Sequence, residues 1–188
     1  YVSLTGANAQ LIQKNSAQPG HTTAVVQTEQ VRAELFAHAP DGVAPGKSVW
    51  LGLQIQHQPN WHTYWRNPGD SGLPTILYWT LPAGVTAGEI AWPTPQRITV
   101  GNLANFGFDG TVLLPTPLTI APAFQASPSG DLEVNLTASW LVCRKQCIPE
   151  EGEFTLQLPI QSTPALSGAA FDAAAQADAP DFTPSDGD

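Results

Sequence analysis

The residues with the most chemistry in this chain are its two cysteines, Cys143 and Cys147. They stand four positions apart in the stretch Trp140-Leu141-Val142-Cys143-Arg144-Lys145-Gln146-Cys147-Ile148-Pro149-Glu150-Glu151. Along a continuous strand that spacing is about 13 Å, twice the reach of a disulfide, so bonding requires a sharp turn. The ring so closed is very small. Chain-entropy arithmetic for about five residues gives roughly 2 kcal/mol, at the low end of what such bridges contribute. This weak structural return favours an exchangeable pair over a purely stabilising one. Arg144 and Lys145, inside the loop, favour a thiolate, whereas Glu150 and Glu151 just beyond it oppose one. The flanks therefore leave the sign of the thiol shift open.

Two other readings of the pair stand beside redox exchange. One is a structural bridge, or two inert thiols, in a binding module. The other is a metal site, since two thiolates with one or two of the four histidines could hold zinc or Cu(I). The ligand count argues against a metal: there is no second cysteine pair, no paired-histidine motif and no methionine. No metal and no cofactor is expected.

The remaining candidates are weaker. Trp61, Tyr64 and Trp65 sit in an aromatic segment that suits core or strand pairing as well as recognition. His62 reads as a hydrogen-bonded histidine rather than a general base. Asp70 and Asp109 lie in turn-like contexts that capping explains. The chain has neither a serine-nucleophile motif nor a phosphate loop.

The elements that must position the cysteines are strands. Leu132, Val134, Leu136, Ala138, Trp140 and Val142 alternate with Glu133, Asn135, Thr137 and Ser139, and this strand delivers Cys143 at its end. Phe154, Leu156, Leu158 and Ile160 alternate again, which places the pair at the connection between two antiparallel strands. Upstream, Val31, Ala33, Leu35 and Ala37 mark one strand, closed by Pro40-Asp41-Gly42. Val49, Leu51, Leu53, Ile55 and His57 mark another. Asn67-Pro68-Gly69 and Asp70-Ser71-Gly72 are turn chemistry. Ile76 to Leu81, Gly88 to Trp92 and Gln96 to Val100 read as short strands. Asn102 to Gly110 reads as a loop carrying Phe106 and Phe108, and Thr111 to Ile120 as a strand that Pro115 and Pro117 confine to a sheet edge or break.

Bulk properties bound the class. The 188 residues, 42% of them hydrophobic and 12% charged with 18 prolines and 16 glycines, fit one β-rich domain plus tails. The expected division is a flexible arm over 1–21, the domain over 22–162, and an alanine-rich short helix with a disordered tail or linker over 163–188. Eight or nine short strands without βα alternation predict an all-β, immunoglobulin-like β-sandwich. A net charge of −9 with seven Lys and Arg argues against nucleic acid and against an anionic membrane surface. No run approaches the roughly 18 to 20 apolar residues of a membrane span, and the N-terminus lacks a signal-peptide pattern, so a soluble piece, mature or excised, is expected.

Three stretches resemble a known family: Trp61-His62-Thr63-Tyr64-Trp65-Arg66-Asn67-Pro68-Gly69-Asp70-Ser71-Gly72, then Asn105-Phe106-Gly107-Phe108-Asp109-Gly110-Thr111-Val112-Leu113-Leu114-Pro115, and Trp140-Leu141-Val142-Cys143 through Cys147-Ile148-Pro149-Glu150. They are similar to the N-terminal periplasmic domain of DsbD-type thiol:disulfide interchange proteins, in particular the suppressor of copper sensitivity B branch. The resemblance implies an immunoglobulin-like disulfide reductase domain in the periplasm, part of a membrane-embedded protein. Its electron donor would be a thioredoxin-like domain of the same full-length protein, and its acceptors periplasmic thioredoxin-fold oxidoreductases. It also implies that Cys147 is the sulfur attacked by partners and Cys143 the resolving thiol. A phenylalanine-bearing cap loop, here with Phe106 and Phe108, would cover the pair. Tyr64, Trp65, Arg144, Lys145 and Pro149 would support the same face. The best-known members carry five residues between the cysteines, where this chain has three.

Overall fold

Alternation of apolar and polar residues builds several of the core strands in the computed structural model, which describes residues 23–160 and Phe171. Eleven strands follow one another: β1 (Val25–Gln27), β2 (Val31–His38), β3 (Val49–His57), β4 (Thr63–Gly69), β5 (Ile76–Thr80), β6 (Val85–Ala87), β7 (Gln96–Val100), β8 (Leu103–Phe108), β9 (Thr111–Ile120), β10 (Asp131–Cys143) and β11 (Cys147–Pro159). The arm expected over 1–21 and the helix and tail expected over 163–188 lie outside the described residues, apart from Phe171. Among those residues no helix is long and apolar enough to cross a membrane.

Three antiparallel sheets form, with strand orders β1-β2-β3-β9-β6, β11-β10-β5 and β4-β8-β7. The first faces the other two across one hydrophobic core. From the first sheet, Val31, Ala33, Leu35 and Ala37 of β2 and Val49, Leu51, Leu53 and Ile55 of β3 turn inward. Opposite them lie Leu132, Val134, Leu136, Ala138, Trp140 and Val142 of β10, each at most 2% exposed, with Phe154 and Leu158 of β11. Burying a side chain of this size contributes about 1.5–3 kcal/mol, so β10 is the most heavily anchored strand and a rigid mount for the residue that ends it. This is the all-β sandwich that the strand pattern predicts.

The second and third sheets meet along the edge of β10. Its residues Asn135 to Ser139 pair with β5. Past the end of β5, the same edge is taken by His62, just before β4. The turn that brings His62 there runs from Gln58 to Trp61, whose N–H donates to the Gln58 carbonyl at 3.0 Å. It includes Asn60 at φ +70°, a conformation that asparagine tolerates better than most side chains.

Several expectations are corrected. The residues Gly88 to Trp92 are irregular; the strand there is Val85–Ala87. The segment Asn102 to Gly110 is not a loop, because Leu103 to Phe108 form β8, paired on both sides. Its loop-like residues are strand pins. The Asn105 side chain accepts from the Ser71 N–H at 2.9 Å and the Ser71 hydroxyl at 3.1 Å, and the Ala104 N–H donates to the Asp70 carboxylate at 2.8 Å. Gly107 lies so close to β4 that a Cβ would overlap the Thr63 carbonyl oxygen. Likewise, Asn67, Pro68 and Gly69 belong to β4, with the register shifted between Tyr64 and Gly69.

Pro115 and Pro117 neither break β9 nor put it at the edge. Their carbonyls accept from Ala91 and Gly88 at 2.8 Å, on the side away from β3. A residue of an antiparallel strand turns its N and O to one side, so the missing N–H groups fall where β6 has ended and no ladder donor is required. On the outer face of the same sheet, Leu113 and Phe171 close over Gly52.

Candidate functional site

The β10–β11 hairpin keeps one register over its whole length, from Asp131 opposite Pro159 to Cys143 opposite Cys147. The cysteines are its last pair, and they form a disulfide with Cα atoms 4.1 Å apart. The backbone explains the short separation. Cys143 exchanges both main-chain hydrogen bonds with His62, N to O and O to N at 2.9 Å each, so its polar groups face away from β11. Cys143 and Cys147 are therefore a non-hydrogen-bonded pair, the type in which facing Cα atoms come closest. The turn that the spacing requires is supplied by Arg144, Lys145 and Gln146, with the Arg144 N–H donating to the Gln146 carbonyl at 3.0 Å.

The two sulfurs have different surroundings. Cys143 is 2% exposed, whereas Cys147 is exposed, as are the three residues before it. A neighbour can reach the bond from one side only. Pro149 shares the exposed face with Cys147 and, lacking an N–H, removes one donor from the outer edge of β11. Glu150 turns the other way. Its carboxylate accepts from the Trp140 indole N–H and from the Thr28 hydroxyl, each at 3.1 Å, which ties the hairpin to the β1–β2 turn. Arg144 lies over Trp61, its guanidinium carbon 5.7 Å from the ring centroid. Trp61, Arg144, Lys145 and Gln146 line a cleft of about 370 Å³ at the tip.

Behind Cys143 lies a polar layer. His62 is 5% exposed, and its Nε2 is 3.1 Å from the Tyr64 hydroxyl, with the rings edge to face at 5.1 Å. Tyr64 is thus linked to the Cys143 backbone through His62. Trp65 is turned to the other side of β4, beneath Arg66. Of the two phenylalanines, Phe108 is buried and stacks on Trp92 at 6.2 Å. Phe106 is 36% exposed and packs on Gly69. Both stand on the paired strand β8, where the expectation had a loop.

His62 enters through its main chain, which no side-chain pattern announces. Trp61 enters as a cleft wall; its one sequence signal is its place at the start of the aromatic segment. Among the described residues no group of three or more His, Cys, Asp or Glu side chains is placed to hold a metal.

Burial lowers the pKa of both His57 and His62 from the ordinary value of 6.5; for His57 the Gly110 carbonyl and Asp109 oppose it, and for His62 Asp109 does. The His57 Nδ1–H donates to the Gly110 carbonyl at 2.8 Å, so its Nε2 is the acceptor for the Thr63 hydroxyl at 2.9 Å. Protonation would reverse the second bond, with Nε2–H donating to the Thr63 hydroxyl oxygen. A histidine whose folded pKa is depressed contributes stability that is complete above 6.5 and is lost as pH falls toward the folded value, because the unfolded chain then binds more protons. The urea midpoint is expected to be flat from pH 8 to about 6.5 and to decline below it. His57→Gln should decline less steeply; parallel curves for the two proteins would remove His57 as a contributor.

A two-layer β-sandwich with a solvent-facing disulfide at a hairpin tip defines an immunoglobulin-like disulfide carrier domain. The family model for the N-terminal domain of the thiol:disulfide interchange protein DsbD matches residues 26–159, and the chain belongs to that family. Among solved structures, the chain is similar in fold to the N-terminal periplasmic domain of ScsB from Proteus mirabilis, with a TM-score of 0.61 and 20% identity over 85% of this chain and 59% of that one. It thus spans less than two thirds of that domain. The reduced N-terminal domain of DsbD from Neisseria meningitidis aligns with a TM-score of 0.38 and 11% identity over 66% of this chain and 83% of that one. No curated protein matches the chain. Family and cysteine pair together make this a thiol–disulfide exchange domain.

Proposed function

We propose that the domain works in the periplasm as a disulfide reductase, passing reducing equivalents through Cys143 and Cys147 from a membrane-embedded relay to thioredoxin-fold partners. The donor in this reading is a thioredoxin-like domain of the same full-length protein. The observation that carries the reading is the asymmetry of the pair, with Cys147 exposed and Cys143 buried. A donor thiolate attacks the Cys147 sulfur in line, the S–S bond breaks, and Cys143 departs as a thiolate. The donor's second thiolate then attacks its own sulfur in the mixed disulfide and releases Cys147. The donor is oxidised by two electrons and the domain reduced by two. Discharge runs the same steps in reverse against an acceptor disulfide, with Cys147 as nucleophile and Cys143 resolving.

In this reading the cover for the site combines the tip residues with the expected cap phenylalanines, which lie on a strand. Trp61 lies under Arg144 of the turn between the cysteines, and Phe106 on β8 is the exposed phenylalanine of the expected cap. The test is trapping. A Cys143→Ser variant should accumulate a mixed disulfide at Cys147 with a thioredoxin-fold protein. A mixed disulfide formed by Cys147→Ser through Cys143, and none by Cys143→Ser, would reverse the roles.

A further inference from the structure

We propose that the cleft at the hairpin tip binds the carboxylates of small disulfides of about tripeptide size, and that the reduced domain reduces them. This rests on the exchange reading of Cys143 and Cys147. The chain carries −9 net charge and seven Lys and Arg, yet two of the seven are adjacent between the cysteines. Both are exposed. Among the described residues the ion pair is Arg32 with Glu34, so neither tip cation is neutralised by a carboxylate there. Glu150, the nearest acid to follow, is held by Trp140 and Thr28.

The cleft has the size and chemistry for a small acidic ligand. Its volume of about 370 Å³ lies within the range of roughly 300–1,000 Å³ usual for small-molecule sites. Stacking of Arg144 on Trp61 orders the guanidinium and leaves its N–H edge for a carboxylate fork. Lys145 adds a second point charge and Gln146 an amide. Three of the four wall residues form the turn between the cysteines, so a ligand seated here lies against the turn that leads into the exposed Cys147. Charge range favours a small ligand over an acidic protein face. The tip attracts anions only within a Debye length of about 8 Å, and a large acidic surface would also meet the excess negative charge of the rest of the chain.

The reaction balances without a further reagent. The Cys147 thiolate attacks one sulfur of RSSR, expels RS⁻ and forms a mixed disulfide. Cys143 gives its proton to solvent, attacks the Cys147 sulfur and expels the second RS⁻. The domain dithiol becomes the disulfide, and RSSR becomes two RSH.

The experiment measures second-order rates of the fully reduced domain with glutathione disulfide (anionic), hydroxyethyl disulfide (neutral) and cystamine (cationic). Each is divided by the rate of 2-mercaptoethanol with the same probe. The normalised ratio of glutathione disulfide to cystamine is expected to be about tenfold or more at low salt, and to fall toward one at 0.5 M salt or in the R144Q/K145Q variant. A low-salt ratio near one, or a high ratio that survives the double substitution, overturns the inference. Exchange with hydroxyethyl disulfide at a ratio of one leaves the exchange reading standing while the inference falls. Inert thiols toward all three probes overturn both.

Discussion

Substituting Gly107 with alanine is expected to cost about 3 kcal/mol of stability and to loosen the disulfide site at the same time. Gly107 stands opposite Tyr64 in the β4–β8 pairing. A Cβ there would overlap the Thr63 carbonyl oxygen and come within 3.0 Å of the Tyr64 Cα. Both are main-chain atoms and no rotamer change relieves them, so β8 must move away from β4. For a domain of this size the loss corresponds to a fall of about 6–12 °C in the thermal midpoint. Gly110→Ala is the control: the space around it is open but φ is +57°, so it should cost about 1 kcal/mol from backbone strain alone. Thr63 follows His62, whose main chain holds Cys143. Displacing β4 should therefore raise the alkylation rate of Cys143 in the reduced protein. A Gly107→Ala variant with the wild-type midpoint would show that β8 is not held against β4 as described.

The second large effect concerns the thiols themselves. In Cys143→Ser the remaining Cys147 should react with iodoacetamide about 100-fold faster than Cys143 does in Cys147→Ser. Cys143 is 2% exposed and clamped at both main-chain polar groups, so reagent reaches it only after local opening. A hundredfold difference corresponds to about 2.7 kcal/mol of opening free energy, at 1.36 kcal/mol for each tenfold. Rates are compared as thiolate rates, by measuring each variant across pH, which separates access from thiol acidity. Equal thiolate rates would remove the support for Cys147 as the sulfur that partners reach.

The parts legible in sequence were those in which burial acts on one side chain at a time. β10, β3 and β2 each bury every second residue, so alternation showed both their extent and their inward face. Because β10 and β11 are each patterned this way, the hairpin and the place of the cysteines at its end could also be read. β8 could not. Asn105 and Gly107 have loop-forming composition, but one is fully buried to hold Ser71 and the other permits two backbones to touch. Both roles are defined by partners distant in sequence. Pro115 and Pro117 misled for a related reason: proline forbids a donor, and whether a donor is needed depends on what lies beside the strand. The opposed charges flanking the cysteines were indeterminate as a string. In the fold Glu150 is occupied by Trp140 and Thr28, leaving Arg144 and Lys145 at the tip. The three-residue spacing fits because Cys143 and Cys147 close a non-hydrogen-bonded pair at the end of an unbroken ladder.

The link between His62 and Cys143 bears on what happens when the S–S bond opens. Cys143 ends a strand flanked by β11 on one side and His62 on the other, and its main chain is bonded to His62 in both directions. Cys147 is the first residue of β11 and adjoins the exposed turn from Arg144 to Gln146. Reduction thus frees one end of the bond and leaves the other as a fixed post. In the proposed exchange the sulfur that travels is then the one that meets a partner, and the sulfur that must find it again waits in one place. Ring closure in that scheme is a search by a single short lever rather than by two, a geometry that favours a short-lived mixed disulfide.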